Sequence, residues 1–385
     1  MDLKKLLGMM VSRKASDLII SAGFPPTLRV DGKLAPMQVP PLSAEECRET
    51  IFQCMTDSQK QQLEAHRDCD FSYGVPALGR FRVNVHCQRG TVAAAIRLVS
   101  ASTPDLRSLG LPPVVMDLAD SAKGLLLVTG PTGSGKSTTL AAIVQRINQT
   151  RCCHIITIED PIEHVFSNDK CVIEQREVGA DTPGFAHALR HVLRQDPDVI
   201  MIGEMRDRET ADIAIEASLT GHLVLSTLHT NSAVETVTRL LDMGCDSFNF
   251  ADAMLGVLAK RLCKRICEQC KEGYHPTRQE YDELVQGYGL QYWDRLGVEY
   301  TDDLILYRGW GCELCNKTGF KGRVPLHELL VGSEEIKNLI QSRARTAEIL
   351  NVAMREGMVT LVQDGIQKVL RGLTTYRQVR AVAIK

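Results

Sequence analysis

The sequence has no apolar run approaching the roughly 20 residues that cross a bilayer as a helix. Its longest, in "KGLLLVTG" and "DVIMIGEM", are far shorter, and the opening "MDLKKLLGMMVSRKASD" lacks a signal-peptide cleavage pattern. A cytoplasmic chain is therefore expected. Charge of one sign is missing too: 45 Lys and Arg against 47 Asp and Glu give a formal net charge of -2, with no long basic block. That balance provides no electrostatic footprint for tight nucleic-acid binding, so no stable nucleic-acid partner is expected. Internal repeats and low-complexity tracts are absent as well, which excludes solenoids and arrays.

Cysteine, by contrast, is abundant. Thirteen are scattered through apolar stretches of a 385-residue chain, a pattern of reduced thiols with a metal site rather than of a small oxidised scaffold. Adjacent Cys152 and Cys153 read as packing residues. The two pairs Cys267/Cys270 and Cys312/Cys315 each have the two-residue spacing that lets four thiolates converge on one tetrahedral ion. Four thiolates close the coordination shell, so a structural ion is expected rather than a catalytic one.

The chain is long enough for two or three domains. Residues 1–102 alternate short strands with helical stretches, one of them "SAEECRETIFQCMTDSQKQQLEAH", and Asp31-Gly32 mark a hairpin turn. The Ser-, Pro- and Gly-rich "SASTPDLRSLGLPPVV" predicts a linker, placed at 103–113. From 114 strands and helices alternate, the signature of a mostly parallel sheet covered by helices. Beyond about 233 the pattern reads as mostly helical, including "FNFADAMLGVLAKRL", with Cys263 on that helix and a cysteine-bearing insert over 263–325. The C-terminal helices are expected over 326–385.

"GPTGSGKS" fits the P-loop pattern between an apolar strand and a helix. Gly130, Pro131, Thr132, Gly133, Ser134, Gly135, Lys136, Ser137 and Thr138 would form the phosphate cradle. Backbone N–H groups and the helix N-terminus favour anions there. Lys136 would neutralise the terminal phosphates of ATP, and the Ser137 hydroxyl would ligate Mg²⁺. NTP hydrolysis also needs acidic groups at strand ends. "DVIMIGEMRD" provides Glu204, expected to polarise the attacking water, and "TIEDPIEHVF" provides Glu163. In "TGHLVLSTLHTN", His222 and His229 flank an apolar strand as candidate sensors of the γ-phosphate.

With these residues in view, the chain resembles the secretion ATPase superfamily that powers type IV pili and type II secretion (PilT, PilB and GspE-like proteins). "ASDLIISAGFPPTLRVDGKL" is similar to the N-terminal domain of the retraction ATPases, "IEDPIE" to the Asp box, "GEMRDRETADIA" to the second acidic motif and "TGHLVLSTLHTNSA" to the His box. The resemblance implies an α/β protein: a RecA-like P-loop core, a small PAS-like N-terminal domain, and a C-terminal helical region carrying the tetracysteine insert. It implies a homohexameric ATPase working at the inner-membrane face with a platform protein, and peripheral to the membrane only through that partner. Arg82 and Arg97 match the paired arginines that reach the phosphates from the small domain.

The length and N-terminal half are similar to retraction ATPases, whereas "LGVLAKRLCKRICEQCK" and "GCELCNKTGFKGRVPLHELL" are similar to assembly and type II secretion ATPases, whose cysteine pairs bind zinc. These motifs leave extension, retraction and secretion open. Two rival readings carry different expectations: a nucleic-acid translocase on the same core, stimulated by DNA, and a non-hydrolysing scaffold subunit of a motor ring.

Overall fold

A computed structural model of the chain describes residues 1–30, 32–99 and 105–383. Asp31 of the expected turn and residues 103 and 104 of the expected linker lie outside them. The chain divides into two compact units. One comprises Met1–Thr103 with Glu159–Ser167 and Gln175–Gly184; the other comprises Pro104–Ile158, Asn168–Glu174 and Phe185–Lys385.

The first unit begins with α1 (Leu3–Ser12), started by Asp2, whose carboxylate accepts from the N–H groups of Lys4 and Lys5. Strands β1 (Asp17–Ile20), β2 (Thr27–Val30) and β3 (Lys33–Pro36) follow, then helices α2 (Ala44–Phe52) and α3 (Asp57–His66). The long helix expected over this stretch is two helices. Thr56 and Gln59 form a capping box that starts a new one, as Ser43 and Glu46 do for α2. Strands β4 (Asp68–Val75), β5 (Gly79–Gln88) and β6 (Thr91–Leu98) complete an antiparallel sheet of order β3-β2-β1-β6-β5-β4. Along β5, Phe81, Val83 and Val85 enter a core shared with Leu3, Leu6, Leu7 and Met10, and Arg82 faces out.

The second unit is built on a seven-stranded sheet. Its elements run α4 (Val114–Ala119), β7 (Gly124–Thr129), α5 (Lys136–Thr150), β8 (His154–Glu159), β9 (Val172–Glu177), α6 (Phe185–Val192), β10 (Val199–Ile202), α7 (Arg208–Leu219), β11 (Leu223–Leu228), α8 (Ala233–Asp242) and α9 (Ser247–Ala253). They continue with β12 (Met254–Ile266), β13 (Lys271–Tyr274), α10 (Arg278–Tyr288), α11 (Leu290–Trp293), β14 (Leu306–Gly309), β15 (Phe320–Val331), α12 (Glu334–Gln341), α13 (Thr346–Arg355), α14 (Leu361–Leu370) and α15 (Tyr376–Ala383). The sheet order is β15-β12-β7-β11-β10-β8-β9. β12, β7, β11, β10 and β8 are mutually parallel. β7, β10 and β11 are buried on both faces, as strands covered by helices on each side must be.

"LGVLAKRL" corrects the helical reading. It lies on strand β12, which pairs with β7 on one side and antiparallel with β15 on the other, and Cys263 is a strand residue. β15 itself starts at Phe320, so the region assigned to C-terminal helices begins with a strand. Among the described residues no helix is long and apolar enough to cross a membrane.

Candidate nucleotide site and metal centre

β7 runs into the P-loop, and α5 starts at Lys136. Gly135 sits at the N-cap with φ 87°, a left-handed conformation that glycine adopts without strain. Gly130 is constrained further: a Cβ there would lie 2.4 Å from the Lys260 carbonyl oxygen and 2.6 Å from Ser134 Oγ, so only glycine fits. Lys136 is buried, and its Nζ donates to the carbonyls of Gly130 (2.9 Å) and Pro131 (3.3 Å). The buried Ser134 hydroxyl has no hydrogen-bond partner among the described residues. Thr132 and Pro131 are exposed at the loop's outer edge, and Ser137 and Thr138 lie half-buried on the first turn of α5.

Because β7, β11 and β10 are adjacent and parallel, their C-terminal ends open on the same edge of the sheet. That edge brings together Lys136, Glu204 after β10 and His229 after β11. His229 Nε2 lies 3.6 Å from Glu204 Oε2, and Arg206 pairs with the other carboxylate oxygen. The Arg206 bond, with the charges of Arg206 and Lys136 adding to it, holds the Glu204 carboxyl below the usual range, so it is ionised at neutral pH. Burial and then Lys136 lower His229, which keeps its ring neutral there.

Side-chain hydroxyls set this geometry. Thr227 Oγ1 donates to the Gly203 carbonyl (2.7 Å) and Ser226 Oγ to the Ile202 carbonyl (3.0 Å), which ties the Glu204 loop to the His229 strand. Thr129 Oγ1 receives the Thr230 N–H at 2.9 Å, which ties the same strand to the P-loop strand.

His222 is not part of this cluster. It precedes β11 at the opposite end of the strand, where its Nδ1 lies 2.9 Å from the Ala217 carbonyl. Glu163, Arg82 and Arg97 belong to the other unit. Glu163 is exposed, and its N–H points at buried Glu159 (3.4 Å). Arg82 and Arg97 are exposed and directly opposite each other on β5 and β6. Arg97 donates to Asp17 at 2.8 Å.

The four cysteines do converge. Cys267 and Cys270 follow β12, and Cys312 and Cys315 follow β14; their Sγ atoms all lie within 4.8 Å of one another. The separations are 3.8 Å (Cys267–Cys312), 3.9 Å (Cys270–Cys315) and 3.7 Å (Cys312–Cys315). A tetrahedral ion with metal–sulfur bonds near 2.3 Å requires sulfur–sulfur edges of about 3.8 Å, so the donor set fits zinc. The N–H groups of Gly311, Cys312 and Gly319 point at the sulfurs of Cys270, Cys315 and Cys315. The Cys312 N–H lowers the Cys315 thiol toward the thiolate a metal needs. Gly309 and Gly319 let the two knuckles cross: a Cβ on Gly309 would lie 2.1 Å from the Gly319 carbonyl.

Two contributors escape a reading of the motifs. Lys260 and Arg261 are both buried behind the P-loop. Their only signal is two adjacent cationic residues inside the apolar "LGVLAKRL".

Comparison with known proteins agrees with this architecture. The family model described as "Type II/IV secretion system protein" matches residues 3–381. The type IV pilus retraction ATPase PilT of Pseudomonas aeruginosa is 47% identical over 272 residues, 69% of this chain and 79% of its own length. The type II secretion system ATPase E of Vibrio cholerae is 38% identical over 390 residues, covering 98% of this chain and 74% of its own. The type IV pilus assembly ATPase PilB of Thermus thermophilus is 39% identical over 93% of this chain, which spans 40% of that relative. A crystal structure of the pilus retraction motor PilT with bound ADP superposes with a TM-score of 0.80 at 35% identity, covering 100% of this chain and 98% of that one. With the family model matching nearly the whole chain and the named relatives being ATPases of this similarity, the chain belongs to the type II/IV secretion system protein family and is an ATPase of it.

Proposed function

We propose that this ATPase forms a homohexameric ring at the cytoplasmic face of an inner membrane, and that its ATP turnover drives pilus assembly, pilus retraction or type II secretion through a membrane platform protein. The carrying observation is the cluster of Lys136, Glu204 and His229 at one sheet edge beside a complete P-loop. Gly130 to Thr138 form the cradle, whose N–H groups, from residues other than Pro131, meet the phosphates, and Lys136 leaves its loop carbonyls to join them. Bound Mg²⁺, held at the Ser137 hydroxyl, would neutralise phosphate charge. Glu204, ionised and held by Arg206, orients the attacking water and accepts its proton, and neutral His229 donates toward the terminal phosphate.

Glu163, Arg82 and Arg97 take supporting roles, the two arginines as groups that stabilise phosphate charge. Arg82 and Arg97 face each other across a strand pair, with Arg97 bonded to Asp17, and guanidinium groups so placed suit a phosphate as a further acceptor. His222 takes no direct part in this reading. Zinc at Cys267, Cys270, Cys312 and Cys315 stiffens the insert, because binding energy becomes folding energy there.

The test combines turnover with cells. Glu204→Gln should bind ATP and lose roughly 10²- to 10⁴-fold in turnover. In cells lacking the gene, absence of pili rescued only by wild type identifies an assembly motor, and excess non-retracting pili a retraction motor. Failed secretion with normal pili identifies a secretion motor. Unchanged pili and unchanged secretion would overturn the motor reading, and DNA-stimulated turnover would move it to a translocase.

A further inference from the structure

We infer that Lys260 is a positioning residue for the nucleotide: it braces the P-loop from behind and places a cation beneath the phosphates. The inference rests on the P-loop reading above. Lysine is seldom buried, yet Lys260 is 2% exposed. Its Nζ donates to Thr139 Oγ1 at 2.7 Å and to the Gly135 carbonyl at 3.4 Å. Thr139 Oγ1 donates to that same carbonyl at 3.0 Å, which closes a triangle around the first turn of α5. The carbonyl of Lys260 is the atom that confines Gly130 at the other end of the loop, and Arg261 fixes it through a 3.2 Å bond. One residue therefore contacts both ends of the cradle, and the Gly135 peptide it holds sets where the next N–H groups point.

Stability of the fold does not account for a cation in this place. A helix N-terminus already carries partial positive charge, so an ammonium buried there opposes the dipole. The surroundings are cationic as well: Lys368 on α14 and Arg323 on β15 bear on it, Arg261 follows it on β12 and Lys136 starts α5, while burial keeps His327 on β15 neutral. The carboxylates nearby are committed elsewhere. Asp364 accepts from Lys368 Nζ (2.5 Å) and the His327 N–H (2.7 Å), and Glu328 from the N–H groups of Ala233 and Leu361. The missing complement is an anion in the loop, which a nucleotide phosphate supplies.

Burial, reinforced by Lys368 and Arg323, pushes the Lys260 ammonium down to about 8, and burial holds His327 neutral down to about 2. Across pH 7 to 9 Lys260 is therefore charged at the lower end and neutral at the upper. Phosphate affinity should fall through that window.

The experiment measures ADP binding to the purified full chain from pH 7 to 9, with steady-state ATP turnover alongside. Lys260→Met keeps the length and removes donor and charge; Lys260→Gln keeps a donor to Thr139. For Lys260→Met we expect an ADP Kd raised about tenfold and a KM for ATP raised in step, with kcat within about threefold of wild type. Lys260→Gln should fall between. The wild-type Kd should weaken with a midpoint near 8, and that of Lys260→Met should be flat. The melting temperature of Lys260→Met should be no lower than wild type. A Met variant binding ADP as wild type does, or keeping the wild-type pH dependence, overturns the inference; if Met fails to fold, Gln is judged by the same two criteria. Lys136→Ala separates the two readings: unchanged ADP binding there sinks the P-loop reading, whereas lost binding there with an unaffected Lys260→Met sinks only this one.

Discussion

Glu204 can be placed by a reading of the sequence, but its orientation depends on hydroxyls that no motif singles out for that task. Thr227 is buried and donates to the Gly203 carbonyl immediately before Glu204. Thr227→Val keeps the shape and deletes the bond, leaving a backbone acceptor without its donor. The expected cost is about 1 to 3 kcal/mol of stability by denaturant unfolding, together with a fall in kcat at unchanged ADP affinity, since Lys136 and the loop are untouched. Full kcat in a Thr227→Val chain that unfolds at the wild-type midpoint would show that the loop seats itself. His229 teaches the converse lesson. The two histidines look equivalent in the sequence, but a strand's direction separates its ends, and only His229 reaches the edge that carries the P-loop.

At the scale of elements, β12 shows why pattern reading fails where burial is two-sided. Leu255, Leu258, Ala259 and Leu262 recur at spacings of a helix, yet nearly every residue from Met254 to Cys263 is covered, so no face is left to give the period of a strand. The same strand delivers Cys267 to the metal centre, and β14 delivers Cys312. The insert between them has a modest core, in which Tyr281, Tyr288 and Trp293 pack edge to face. Removing the metal should therefore loosen this region selectively. Chelation, or Cys267→Ser with Cys312→Ser, should raise amide hydrogen exchange over residues 267–320 and leave exchange in β7, β10 and β11 unchanged. A metal assay should give one zinc per chain before chelation. Exchange unaltered by chelation would mean that the thiols hold the knuckles without an ion.

For the whole molecule, the two units divide the proposed chemistry: Lys136, Glu204 and His229 sit on one, and Arg82, Arg97 and Glu163 on the other. In the proposed ring, where arginines of one subunit serve the nucleotide held by another, turnover depends on assembly. Turnover per chain should rise with protein concentration as a six-chain species appears by mass photometry. Arg82→Ala with Arg97→Ala should lower kcat by more than tenfold while leaving that species in place, as loss of arginine groups that stabilise phosphoryl-transfer charge requires. A monomer with full turnover would contradict the ring. The sequence by itself determined the P-loop, the acidic strand end, the parallel-sheet alternation and the cysteine pairs, because each is set by local constraints on glycine, periodicity or ligand spacing. Only the tertiary structure decided which histidine meets Glu204, that "LGVLAKRL" is a strand, and that Lys260 lies under the phosphate cradle. Those depend on strand order and burial, which bring together residues more than a hundred positions apart, such as Thr139 and Lys260.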